Sequence, residues 1–169
     1  MRLWAAASAL CVFFIVLSSV LTSACKSSPQ SEQPSSQAPA DPNGVNEALT
    51  SFSQQITSSV STLSASPGQV LAIPVTVKNT GTHRLATAGK FPITFSYKWF
   101  DGGRMLPIEG ERTVLPRPLN PGEEVSFNAK VVAPDQGQDL TLKLTLVQEG
   151  VAWFMTSGGA PLEIPVKMK

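Results

Sequence analysis

The stretch SPGQVLAIPVTVKN, residues 66–79, changes side at every step: Leu71, Ile73, Val75 and Val77 fall on one face, Ala72, Pro74, Thr76 and Lys78 on the other. A period of two is the pattern of a strand with one face buried. Pro67-Gly68 just before it reads as the turn that opens the strand. The stretch NPGEEVSFNAKVVAP, residues 120–134, lays over it without a gap, Pro-Gly on Pro-Gly, with Val125, Phe127, Ala129 and Val131 as its inward set.

Working outward, FPITFSYKWF (91–100) puts Ile93, Phe95, Tyr97 and Trp99 on one face, and Asp101-Gly102 behind it is a hairpin signal. DLTLKLTLVQ (139–148) alternates through Leu140, Leu142, Leu144 and Leu146. Glu149-Gly150 turns the chain into VAWFM, and PLEIPVKM closes with Leu162, Ile164 and Val166. With a first strand near 59–65 and a shorter one near 111–116, seven or eight short strands are expected within residues 58–169. That is the signature of an all-β, immunoglobulin-like antiparallel β-sandwich without a cysteine pair, with Trp99 at the place of the buried core tryptophan. The 14 prolines and 12 glycines fit a chain of many turns.

Composition excludes several functions. Net charge is +1, only 15% of residues are charged, and no basic run could neutralise a phosphate backbone, so nucleic acid is not an expected partner. The two cysteines are Cys11 and Cys25. Nothing after residue 25 can therefore form a disulfide, a thiol nucleophile or a cysteine-built metal site.

The N-terminus has one basic residue, Arg2, then an apolar run, then small residues ending at a cysteine: LTSAC, residues 21–25. This is the layout of a secretory signal peptide. Its end resembles the lipobox of bacterial lipoproteins, with Thr22 where a branched aliphatic residue is usual. The resemblance implies cleavage after residue 24 and acylation of Cys25, giving a membrane partner through the lipid anchor. An uncleaved membrane helix is the alternative. Either reading leaves Arg2 inside and everything beyond residue 25 outside the cytoplasmic membrane. Lys26 is not the Asp that resembles an inner-membrane retention signal, so an outer membrane, where there is one, is the expected address.

Residues 26–43, KSSPQSEQPSSQAPADPN, hold no apolar side chain larger than Ala or Pro and are expected to be a disordered stalk. Eighteen residues reach roughly 23 Å as a flexible coil and about 56 Å as polyproline II. Residues 44–57 carry Val45, Leu49, Phe52 and Ile56 at helical spacing among poor helix formers, which predicts a short helix or an edge segment.

VTVKNTGT (75–82), YKWF (97–100), NPGEEV (120–125), VVAP (131–134) and LVQEGVAWF (146–154) together resemble an Ig-like module of bacterial extracytoplasmic and glycan-associated proteins. More distantly they resemble the four-tryptophan domain of autophagy receptors. The resemblance implies a non-catalytic binding or scaffolding module, with no cofactor and with an envelope protein or glycan as partner. A carbohydrate-binding module, and a small hydrolase or enzyme inhibitor, are the rival readings.

Catalytic and metal residues are not expected. His83 is the sole histidine and sits in a Gly/Thr loop. Glu109 and Glu111 share a strand face and could be a carboxylate pair, though solvated charges are the plainer expectation. If Glu149-Gly150 is a two-residue loop, Gln148 pairs with Val151, so Val151, Trp153 and Met155 face in while Phe154 faces out. Phe100, Lys98, Val147 and Phe154 then form the candidate binding surface. Coverage by residues 45–56 is the alternative, and a longer loop would shift the parity and bury Phe154.

Overall fold

The structure is a computed structural model that describes residues 44–45 and 47–169; the leader, Cys25 and the linker lie outside the described residues. In chain order the strands are β1 (Gly44–Val45), β2 (Gln55–Thr57), β3 (Leu63–Ala65), β4 (Val70–Lys78), β5 (Ala88–Gly89), β6 (Ile93–Asp101), β7 (Arg104–Met105), β8 (Thr113–Val114), β9 (Glu124–Val132), β10 (Leu140–Gln148), β11 (Ala152–Trp153) and β12 (Leu162–Met168). The larger sheet runs β3-β12-β10-β6-β7, with β11 also on β10 and β8 also on β6; the smaller runs β2-β4-β9; β1 pairs β5 separately. The chain is all-β, and the two main sheets pack as a sandwich consistent with the immunoglobulin-like class.

The alternation read from sequence sets the inward faces. Ile93, Phe95, Tyr97 and Trp99 are buried, as are Leu140, Leu142, Leu144 and Leu146 on the neighbouring strand. From the other sheet come Ile73, Val75, Val77, Ala129 and Val131. Aromatic residues join the layers. Phe95 meets Phe127 edge-to-face at 5.3 Å. Trp99 Nε1–H donates to the Val132 carbonyl at 2.9 Å, and the Val132 N–H donates to the Tyr97 hydroxyl at 3.0 Å.

Gly110 lies where the chain between β7 and β8 crosses β6. A Cβ there would stand 2.2 Å from the Tyr97 carbonyl oxygen, so no larger residue fits without moving the backbone.

Residues 47–54 form no helix, and Gln55–Thr57 is a strand on the edge of the smaller sheet. The apolar side chains at helical spacing are used by an extended segment: Leu49 and Phe52 pack on the core and Ile56 is part of it. Two glutamine amides hold this segment where backbone partners run out. Gln148 accepts the Leu49 N–H at 2.8 Å and donates to the carbonyls of Glu47 and Phe91. β10 pairs with β12 only as far as Leu144. Beyond that point the Leu146 N–H donates to Gln54 Oε1 at 2.8 Å, and Gln54 Nε2 donates to Thr145 Oγ1 and the Ala160 carbonyl, each at 2.9 Å. One side chain replaces a missing stretch of strand.

Gln54→Ala would leave a buried N–H and its neighbours unpaired, at about 1–3 kcal/mol. Thermal unfolding checks this; a change under about 0.5 kcal/mol would mean that water takes the amide's place.

Candidate functional site

The hairpin after β10 corrects the expected binding surface. Val147 pairs with Trp153 and Gln148 with Ala152, so the loop is Glu149-Gly150-Val151, three residues instead of two. Gly150 has φ +72°, and the Val151 N–H returns to the Gln148 carbonyl at 3.0 Å. Gly150 is the third residue of the Gln148–Val151 turn, a position where a positive φ favours glycine. The extra residue shifts parity by one. Trp153, expected inward, lies half-buried on the outer face. Phe154, expected outward, is fully buried, with its ring against Phe52 edge-to-face at 5.0 Å. Val147 does face outward, but directly across from Trp153 it is only 3% exposed. Of the four surface residues, Phe100 and Lys98 alone remain half-exposed there.

That outer face is internally satisfied. Lys98 and Lys143 are directly opposite each other on β6 and β10, which by itself is unfavourable. Each is drawn to its own carboxylate and its own ring. Lys98 reaches Glu109 at 2.6 Å and lies 4.3 Å from the Trp153 ring centre. Lys143 reaches Glu163 at 2.7 Å and lies 4.5 Å from that of Phe100. Arg112 adds bonds to Glu109 at 2.9 Å and Glu149 at 2.8 Å, and stacks 4.8 Å from the Trp153 ring centre. The hydrogen bond from Lys98, with help from Arg112, holds the Glu109 carboxyl below the usual carboxylate range against some burial. Burial works against the Arg112 charge, but hydrogen bonds to Glu149 and Glu109 outweigh it and raise the guanidinium above its ordinary value.

The carboxylate pair is not assembled either. Glu111 bonds Lys130 at 2.8 Å, while Glu109 belongs to the Lys98 and Arg112 network. His83 is exposed. Among the described residues, no three His, Cys, Asp or Glu side chains gather as a metal site.

A different feature is open. At the end of the sandwich where β6 finishes, a cavity of about 520 Å³ lies between the 104–108 stretch and the 134–138 loop. Leu106, Pro107, Ile108 and Pro134 supply its apolar lining, and Asp101, Arg104 and Asp135 its charges. Its walls are tied to the core. The Leu106 N–H donates to the Trp99 carbonyl at 2.8 Å, and the Ala133 N–H to the Gln69 carbonyl at 2.9 Å. Asp101 Oδ1 accepts the Asp139 N–H at 2.9 Å. Arg104 and Asp135, both exposed, have no side-chain hydrogen bond or ion pair among the described residues. No protein-family model matches this chain, and no curated protein matches its sequence.

The sequence does not reveal this cleft because its lining comes from two segments about thirty residues apart, 101–108 and 134–138, with no shared motif. The one local signal is a proline in each loop, Pro107 and Pro134.

The cleft and the start of the described chain sit at opposite ends. β1 pairs Ala88–Gly89 just before β6, and Leu49 is held by Gln148, which pairs with Ile93 at the start of β6. β6 runs nine residues from Ile93 to Asp101, a span of about 26 Å.

Proposed function

We propose that this chain is a lipid-anchored, extracytoplasmic envelope lipoprotein that presents a non-catalytic Ig-like binding module. Cys25 carries the acyl chains, residues 26–43 act as the stalk, and the sandwich is the displayed part, on the outer membrane where the organism has one. The observation that supports it best is polarity along the strands: the described chain begins at one end of the sandwich, where Gly44–Val45 pairs Ala88–Gly89, and the preformed cleft opens at the other.

Stable attachment needs two or more acyl chains, since a single chain binds only marginally. Cys25→Ser is expected to abolish incorporation of a labelled fatty acid and to leave the precursor uncleaved. Undiminished labelling in that variant would remove the anchor from this reading.

A further inference from the structure

The geometry points to the end cleft as a docking site for an extended peptide segment bearing an apolar side chain between an acidic and a basic one. The inference rests on the binding-module reading above, not on the anchor.

The lining chooses the ligand class. The cleft offers no aromatic side chain among its lining residues on which a sugar ring could stack. Leu106, Ile108 and Pro134 instead form an apolar floor suited to one aliphatic or aromatic side chain of a ligand. The volume of about 520 Å³ falls in the range of small-ligand sites and holds a few residues of peptide, not a folded surface.

The charges choose the flanks. Arg104 stands on the 104–108 wall and Asp135 on the 134–138 wall, both exposed and neither with a side-chain hydrogen bond or ion pair among the described residues. Asp101, the third charge and directly across the hairpin from Arg104, has its Oδ1 taken by the Asp139 N–H. A guanidinium donates to a carboxylate and a carboxylate pairs with a cation, so a ligand carrying both signs around an apolar side chain complements the site. The walls need not reorganise, because the Trp99 and Gln69 carbonyls and the Asp101 carboxylate already fix them by accepting backbone N–H groups. Preorganisation of this kind lowers the ordering cost of binding.

The test uses detergent-solubilised full chain, immobilised, and a phage-displayed library of random decapeptides, with a glycan array run alongside. Wild type is expected to enrich acidic–apolar–basic sequences at least tenfold over a blank surface. Arg104→Glu should lose the acidic preference, and Arg104→Glu with Asp135→Lys should reverse the order of the charges. Both residues are exposed, so melting temperatures should stay within a few degrees of wild type. Equal enrichment by wild type and the reversed variants, or no enrichment, overturns the proposal. Glycan binding lost in those variants would make the cleft a sugar site, leaving the binding-module reading standing without this ligand. Silence in both assays would remove both.

Discussion

Trp99→Ala is expected to unfold the domain or to lower its melting temperature by about 10 °C or more. The side chain is 0% exposed and stands edge-to-face on Tyr97 with ring centres 6.4 Å apart. Truncating such a residue typically costs about 3–5 kcal/mol, through lost transfer energy and the cavity left behind. Removing the indole also leaves the Val132 carbonyl without its partner. A domain of this size has about 5–15 kcal/mol in total. The change therefore takes from about a fifth to nearly all of what is there, and it strikes a link between the two sheets. Thermal unfolding followed by circular dichroism measures it. A shift of one or two degrees would mean that the sandwich does not depend on this ring.

Phe154→Ala should be nearly as damaging, and Phe100→Ala much less so. The two rings were grouped on one surface by the alternation of the sequence, yet they live in different environments. Phe154 is fully buried in a short 3-10 turn, Phe154–Thr156, against Phe52. Its loss should cost about 3–5 kcal/mol. Phe100 lies half-buried on the outer face beneath Lys143, where truncation removes a cation–π contact and partial burial, about 1 kcal/mol. Urea unfolding of the two variants side by side reads the difference directly. Equal losses would place Phe100 in the core as well, and the three-residue hairpin would no longer account for the faces.

Much of the scaffold was legible in the chain. The inward sets of β4, β6, β10 and β12, Trp99 among them, follow from alternation along each strand. In a strand, side-chain direction is a local property with a period of two, so it needs no knowledge of the partner. The candidate surface failed at a point where locality fails. Whether Glu149-Gly150 or Glu149-Gly150-Val151 forms the loop changes the chain by one residue, and one residue reverses every side chain that follows. Trp153 and Phe154 exchanged faces for that reason.

The segment before β2 shows the same limit in another form. Leu49, Phe52 and Ile56 were correctly apolar and correctly destined for burial, but their spacing suits a helix as well as an extended chain lying across a sandwich edge. Gln54 and Gln148 settle the matter through hydrogen bonds to residues about ninety or more positions away, Gln54 to Leu146 and Gln148 to Leu49. Polar side chains of this kind look like surface residues in a sequence, because nothing nearby reveals that a strand will end and leave an amide without a partner.

Strand periodicity, turn positions and the all-β class follow from interactions among near neighbours and can be read along the chain. The hairpin parity, the strand-completing amides and the end cleft depend on where distant segments meet. The cleft brings Arg104, Ile108 and Asp135 together across the ends of β6 and β9, and only the packing of one sheet on the other brings them side by side.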